Sequence, residues 1–217
     1  MPTQLMTAPA PPITALLLAG GRGSRMGGVD KGLQPYGGAT LTQNALARLR
    51  AQTLPPTEVL ISANRHTDTY AALGVPVVTD TLPDFAGPLA GFLAGLQACR
   101  TPLLLTVPCD VPRFPLSLCE HLAQALLAQE ADIAMVSAPD SPTRDAPATL
   151  HPQPVFCLLR VELAGSLAQF LDAGGRKIGA WAAQHRRALV PFNAPDDDPL
   201  AFANANTLGQ LRALDTP

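Results

Sequence analysis

The sequence predicts an α/β protein: a mostly parallel sheet with helices on both faces. Short apolar runs without a helical period alternate with longer segments in which apolar residues recur at helical spacing, the βα repetition of a parallel sheet. The 217 residues, 47% hydrophobic and only 15% charged, suffice to bury one substantial core. Glycine, asparagine or aspartate follows several of the apolar runs, so the candidate ligand-binding positions collect at strand ends.

Taken in order, residues 1–12 hold four prolines but no basic start and no apolar stretch, and are expected to be a disordered lead, not a signal peptide. Ile13 to Leu18 reads as a strand buried on both faces. A glycine-rich turn comes next, then a helical pattern from Leu41 to Ala51, a strand from Val59 to Ser62, a helix from His66 to Leu73 and a strand from Val75 to Thr79. Gly87 and Pro88 make a tight turn, and Pro88, favourable at a first helical position, opens a helix whose Phe92, Leu93 and Leu96 pack inward. Strands from Leu103 to Val107 and from Ile133 to Ser137 flank a helix from Leu116 to Ala128. SAPDSPTRDAP, Ser137 to Pro147, is a loop by composition. The chain beyond Pro147 is expected to complete the sheet.

Composition removes several classes of function. A net charge of −2 provides no electrostatic footprint for nucleic acid. Cys99, Cys109, Cys119 and Cys157 include no C-x-x-C pair, so neither a structural zinc site nor a disulfide framework is indicated, and reduced thiols in the cytoplasm are expected. No apolar stretch approaches the ~20 residues of a membrane span.

Residues 16–33, LLLAGGRGSRMGGVDKGL, carry the chemistry. Gly20, Gly21, Gly23, Gly27 and Gly28 leave the backbone unobstructed, so that several N–H groups can converge on one anion. Arg22, Arg25 and Lys31 add positive charge, and Arg25 or Lys31 can compensate the charge that builds up as a phosphoryl bond is exchanged. Two common phosphate motifs fail here. A G-x-G-x-x-G fingerprint from Gly21 and Gly23 meets Met26 where its last glycine belongs, and a P-loop needs Lys-Ser or Lys-Thr after Gly28, where Val29-Asp30 stands.

The run LAGG-x-G-S-R-MGG-x-DKGL resembles the nucleotide-binding signature of the molybdenum cofactor guanylyltransferases. SANRH (Ser62 to His66), Asp80 leading into DFAGPLAG (Asp84 to Gly91), VPCD ending in Asp110, and FANANT (Phe202 to Thr207) are similar to that family's later motifs, in the same order. The resemblance spans Ile13 to Leu214, and the double glycine of LAGG favours the guanylyl family over its cytidylyl relatives.

This resemblance implies a Rossmann-like nucleotidyltransferase fold and transfer of GMP from GTP to the terminal phosphate of molybdopterin, with Mg²⁺. It implies one domain over residues 13–217, nucleotide-binding in 13–137 and molybdopterin-side in 138–217. Leu18, Ala19, Gly20, Gly21, Lys31, Asn64, Asp80, Gly87 and Asp110 would then bind the nucleotide. Arg25, Lys31 and Asp110 would serve catalysis. Asp110 closes an apolar strand, so its carboxylate would emerge near the phosphates, where a hard Mg²⁺ prefers one or two carboxylates plus substrate oxygens. Asp80 would accept from N1 and the amino group of guanine, as an acceptor-only carboxylate can. Arg176 and Lys177, in a G-x-R segment, and Asn204 and Asn206, in N-x-N, would face molybdopterin.

His151, in HPQP, departs from the family pattern and is left outside the site, and His66 and His121 are assigned to helix surfaces. Transient partners would be molybdoenzymes, their chaperones or molybdenum-insertion proteins. Two alternatives stay open: another nucleotidyltransferase of the same fold, acting on a cytidylyl donor or a sugar-1-phosphate, and a non-catalytic GTP-binding cofactor carrier.

Overall fold

The computed structural model describes residues 11–19, 30–80, 87–139, 149–205 and 210–211. The chain runs through β1 (Ile13–Leu18), a 3₁₀ turn (Lys31–Leu33), a small hairpin of β2 (Pro35–Tyr36) and β3 (Ala39–Thr40), α1 (Leu41–Arg50), β4 (Glu58–Ser62), α2 (Thr67–Ala71), β5 (Val77–Val78) and α3 (Pro88–Ala98). It continues through β6 (Leu103–Pro108), α4 (Leu118–Ala128), β7 (Ile133–Pro139), β8 (Leu150–Arg160), α5 (Ala164–Asp172), α6 (Ile178–Ala182) and β9 (Arg187–Pro191). Seven strands form one sheet in the order β5-β4-β1-β6-β8-β7-β9. Its pairings are parallel except those of β8, which runs antiparallel to both β6 and β7.

Side-chain alternation assigns each strand residue to a face. On β1, Ile13, Ala15 and Leu17 join the cluster that includes α1 and α4, whereas Leu16 joins the one built from α3, α5 and α6. On β6 the division is Leu103, Leu105 and Val107 against Leu104. Both faces are covered, so these strands carry no polar alternation, and each fully buried leucine contributes roughly 1.5–3 kcal/mol over an exposed one.

Helix α3 rests very close to the sheet. A Cβ at Gly95 would meet Leu16 Cδ2 at 2.5 Å, and one at Gly91 would meet Ser62 Oγ at 2.8 Å. Each mid-helix glycine costs up to about 1 kcal/mol in propensity, and the close seat on β1 and β4 offsets that cost. Pro88 is the first residue of this helix, and Phe92, Leu93 and Leu96 are buried, as the sequence implied.

Several boundaries differ from the sequence expectation. β5 is confined to Val77–Val78: Pro76 still accepts from Ile61 N–H at 2.9 Å, but it has no N–H to give the ladder. α2 starts after His66, which has φ 52° and so cannot continue a right-handed helix. β7 runs on to Pro139, paired with Leu150, beyond the expected end at Ser137.

The largest departure is β8, an antiparallel strand inserted between two parallel ones. Its prolines lie in its first half, where the pairing among the described residues is with β7 (Ser137 with Pro152, Pro139 with Leu150), while Cys157 to Leu159 pair on both sides. A proline has no N–H to donate, so it belongs where the ladder is not continued on both sides. His121 lies on α4 with its ring 5.5 Å from that of Phe192. Among the described residues no helix is long and apolar enough to cross a membrane.

Candidate active site

The strand registers align four residues across the sheet: Val78 beside Ser62, Ser62 beside Leu18, and Leu18 beside Pro108. One residue further, Ala63 N–H donates to Val78 O at 3.0 Å, Ala19 N–H to Ser62 O at 3.0 Å and Cys109 N–H to Leu18 O at 3.1 Å. Asp80, Asn64 and Asp110 therefore each stand two residues past one common row. The chain leaves β1 for β4 and β5 and then returns to β6 on the other side of β1. Ligands in open α/β sheets bind at such a switch point, beyond the carboxyl ends of the strands.

At that edge Lys31 Nζ donates to Asp110 Oδ2 at 3.2 Å, with the two side chains 25% and 21% exposed. Lys31 opens the 3₁₀ turn, which Asp30 caps by accepting from Gly32 N–H at 3.1 Å. Asp30 is nearly buried and also accepts from the Tyr70 hydroxyl at 2.7 Å. Burial, followed by the Asp30 carboxylate, pushes the Tyr70 phenol far above its usual range, so it stays a donor. Burial likewise raises the thiol of Cys109, beside Asp110, and takes Cys119 up to about 12, so neither is a thiolate at neutral pH.

Asn64 and Asp80 hold each other. Asn64 Nδ2 donates to Asp80 Oδ2 at 2.5 Å, and Asp80 N–H donates to Asn64 Oδ1 at 3.0 Å. Gly87 precedes α3 with φ 72° and ψ −159°, a backbone conformation that L side chains rarely adopt. On the opposite side of the crevice, Ala205 N–H donates to Asp110 O at 2.8 Å, which brings the exposed Asn204 next to the end of β6.

Arg176 and Lys177 lie in the turn between α5 and α6. Ser166, near the start of α5, meets Trp181 and His185 at the far end of α6, so the two helices run antiparallel and their connecting turn lies at the other end. α5 begins after Arg160, which pairs with Leu103 at the start of β6. Arg176 Nη1 donates to the carbonyls of Leu171 at 2.9 Å and Gly175 at 2.7 Å, capping α5, and both Arg176 and Lys177 are exposed. Gly20, Gly21, Arg25 and Asn206 lie outside the described residues.

Residues 15–214 match the model of the MobA-like NTP transferase domain. The molybdenum cofactor guanylyltransferase of Albidiferax ferrireducens is 56% identical over 207 residues, covering 95% of this chain and 97% of that protein. That of Methylibium petroleiphilum is 57% identical, covering 94% and 96%. The chain belongs to the molybdenum cofactor guanylyltransferase family. Among solved structures, the molybdopterin-guanine dinucleotide biosynthesis protein A of Archaeoglobus fulgidus shares the fold with a TM-score of 0.72 at 19% identity, covering 93% of this chain and 96% of that one. The 4-diphosphocytidyl-2C-methyl-D-erythritol synthase of Anaerococcus prevotii shares it with a TM-score of 0.69 at 12% identity, covering 94% and 96%.

For a guanylyltransferase-family chain, the sequence reading named the residues of the strand-end row but missed what fixes them. In the sequence Asp30 only breaks the P-loop pattern, and its place two residues before Gly32, where an aspartate can cap a turn, is its one local signal. Tyr70 gave no signal beyond one aromatic residue in a short helical pattern, because its partners are 40 and 51 residues away.

Proposed function

We propose that this chain transfers the GMP moiety of GTP to the terminal phosphate of molybdopterin, yielding molybdopterin guanine dinucleotide and pyrophosphate. The observation that carries this reading is the Lys31–Asp110 pair, a cation and a carboxylate 3.2 Å apart at the β1/β6 edge of a guanylyltransferase-family chain. Leu18, Ala19, Gly20, Gly21, Asn64, Asp80 and Gly87 complete the nucleotide side. Arg176, Lys177, Asn204 and Asn206 would face the pterin, a reading supported for the Asn204 segment by the bond from Ala205 to the Asp110 carbonyl. The proposal includes a cytoplasmic location and transient contact with molybdoenzymes, their chaperones or molybdenum-insertion proteins.

The acceptor needs no general base. A phosphomonoester has a second pKa of about 6, so at neutral pH the terminal phosphate is mostly a dianion. One of its oxygens bonds to the α-phosphorus in line, the bond from that phosphorus to the bridging oxygen breaks, and pyrophosphate leaves with the electron pair. Lys31 and Arg25 meet the charge spread over the phosphoryl oxygens, and Asp110 orients the Lys31 ammonium toward them.

Mg²⁺ suits the donor set. Among the described residues no group of three or more His, Cys, Asp or Glu forms an all-protein metal cage, whereas a hard cation is content with one carboxylate, that of Asp110, plus substrate phosphate oxygens. When bound there, the metal neutralises phosphate charge and polarises the phosphoryl group.

Base choice falls to Asp80. Guanine presents two adjacent donors, N1–H and the 2-amino group, and a carboxylate has lone pairs for both even while Oδ2 accepts from Asn64. Asn64 thus turns the carboxylate and holds it. The test is binding of GTP, CTP, ATP and UTP with Mg²⁺ to the native chain and to Asp80→Asn. Native protein should prefer GTP, and the variant should lose about tenfold or more in GTP affinity together with much of the preference. Unchanged affinity and unchanged discrimination would remove Asp80 from the base site.

A further inference from the structure

In the run VDKGL the proposed reaction uses Lys31 and leaves Asp30 and Gly32 without a task. Asp30 is 8% exposed, and a carboxylate so far from water has to be hydrogen-bonded. Its Oδ1 takes two donors, Gly32 N–H at 3.1 Å and the Tyr70 hydroxyl at 2.7 Å. The Ala19 carbonyl oxygen stands 3.4 Å from that hydroxyl as a second, longer acceptor. A single core hydroxyl therefore touches both the residue that follows β1 and the residue that precedes Lys31.

Gly32 reports the same contact from the other side. A Cβ there would lie 2.5 Å from Tyr70 Oη and 2.7 Å from Thr42 Oγ1, so the hydroxyl occupies the space that any larger residue would need. Tyr70 is fully buried, packed among the core residues that cover β1 and β4, and has little room to shift. Gln34 Nε2 donates to the Asp30 carbonyl at 3.1 Å and closes the turn from its far end. The backbone of Lys31 is thus fixed on both sides before its ammonium reaches Asp110.

We infer that Tyr70 is a positioning residue for nucleotidyl transfer: its hydroxyl holds Asp30, and through Asp30 the turn that carries Lys31, against the end of β1. Tyr70 touches no substrate and acts through Asp30 and Lys31. The inference rests on the reading of Lys31 as a phosphate-facing cation.

Tyr70→Phe keeps the ring in the core and removes only the hydroxyl. A buried hydrogen bond to a charged group corresponds to about tenfold or more in an equilibrium or a rate. The variant should lose about that factor in kcat/KM for GTP, while its affinity for guanosine, which lacks phosphates and probes only the base side, stays within about twofold of native. Near-UV circular dichroism should be unchanged. Equal losses for GTP and guanosine would assign Tyr70 a general structural role and overturn the inference, as would unchanged GTP kinetics. Lys31→Ala, measured in parallel, separates the two failures. If it leaves turnover intact, the reading of the site is wrong; if it lowers turnover while Tyr70→Phe does not, only the positioning role fails. Should Tyr70→Phe not fold, Asp30→Asn takes its place, with the same GTP-selective loss expected and a loss shared with guanosine refuting the inference.

Discussion

Lys31→Ala distinguishes a catalytic cation from a structural one by size of effect. The Lys31–Asp110 pair is partly exposed, 25% and 21% for the two side chains, so solvent screens it. A pair of this kind is worth ~0.2–1 kcal/mol to folding. In a chain of this length ~1 kcal/mol moves the melting temperature by about 2–4 °C. Stabilisation of charge developing on phosphoryl oxygens would be a larger effect, because a substrate bound as proposed would displace water from the same edge. Loss of one such group costs about 2.7–4 kcal/mol in the barrier, or about 10²–10³ in kcat. The assay is pyrophosphate release at saturating GTP and molybdopterin, with GTP binding by calorimetry and a thermal melt. The expected result is a kcat lower by about 10²–10³, a GTP Kd raised by less than about tenfold, and a melting temperature within a few degrees of native. An unchanged kcat with a raised KM would refute the reasoning, since it would mean that Lys31 binds ground state and transition state alike.

Two further outcomes come from the packing and from an ion pair far from the site. Gly95→Ala puts a Cβ 2.5 Å from the fully buried Leu16 Cδ2 on a central strand; overpacking of this kind costs ~1–3 kcal/mol, of which the better helix propensity of alanine recovers up to about 1 kcal/mol, so calorimetry should show no gain in melting temperature and up to several degrees of loss, and a higher melting temperature would contradict the close seat of α3. Hydrogen bonds from Arg186, one of them from Nη2 at 2.8 Å, hold the Asp132 carboxyl below its usual range. The unfolded chain therefore takes up that proton at higher pH than the folded one, so the pair stabilises above about pH 4 and its contribution fades as pH falls further. In urea titrations Arg186→Ala should be less stable than native at pH 7, with the gap narrowing as pH falls below about 4; a gap independent of pH would exclude this linkage.

The N-terminal part of the sheet was legible because its strands are buried on both faces. Leu16, Leu104 and their neighbours need no polar alternation, and Asn64 and Asp110 stand just past the runs of β4 and β6. β8 was not legible, since Pro152 and Pro154 argue against a strand until it is known that, among the described residues, this half pairs with β7 and not with β6. Asn64 and Asp80 each stand out along the chain, yet their mutual bonds depend on β4 and β5 being neighbours, which only the sheet order reveals. Arg176 was assigned to the pterin side, and its guanidinium also caps α5, a use that a helix-end position allows but does not dictate. Tyr70 was the least legible of all, because one hydroxyl in the core carries no pattern along the chain.

Strand β8 also sets the order in which the molecule can be made. Thr106 on β6 is bonded by Cys157 N–H across 51 residues, so the open side of β6, the uncharged run LLLTVP, has no partner until that much more chain has been synthesised. At about 5–20 residues per second this takes roughly 3–10 s. For that interval a nascent chain exposes an apolar strand edge, the kind of surface on which unrelated chains pair. Stalled or prematurely ended translation products that stop short of residue 150 would thus be the aggregation-prone form of this protein, and the cell's protection of it is needed most at the ribosome.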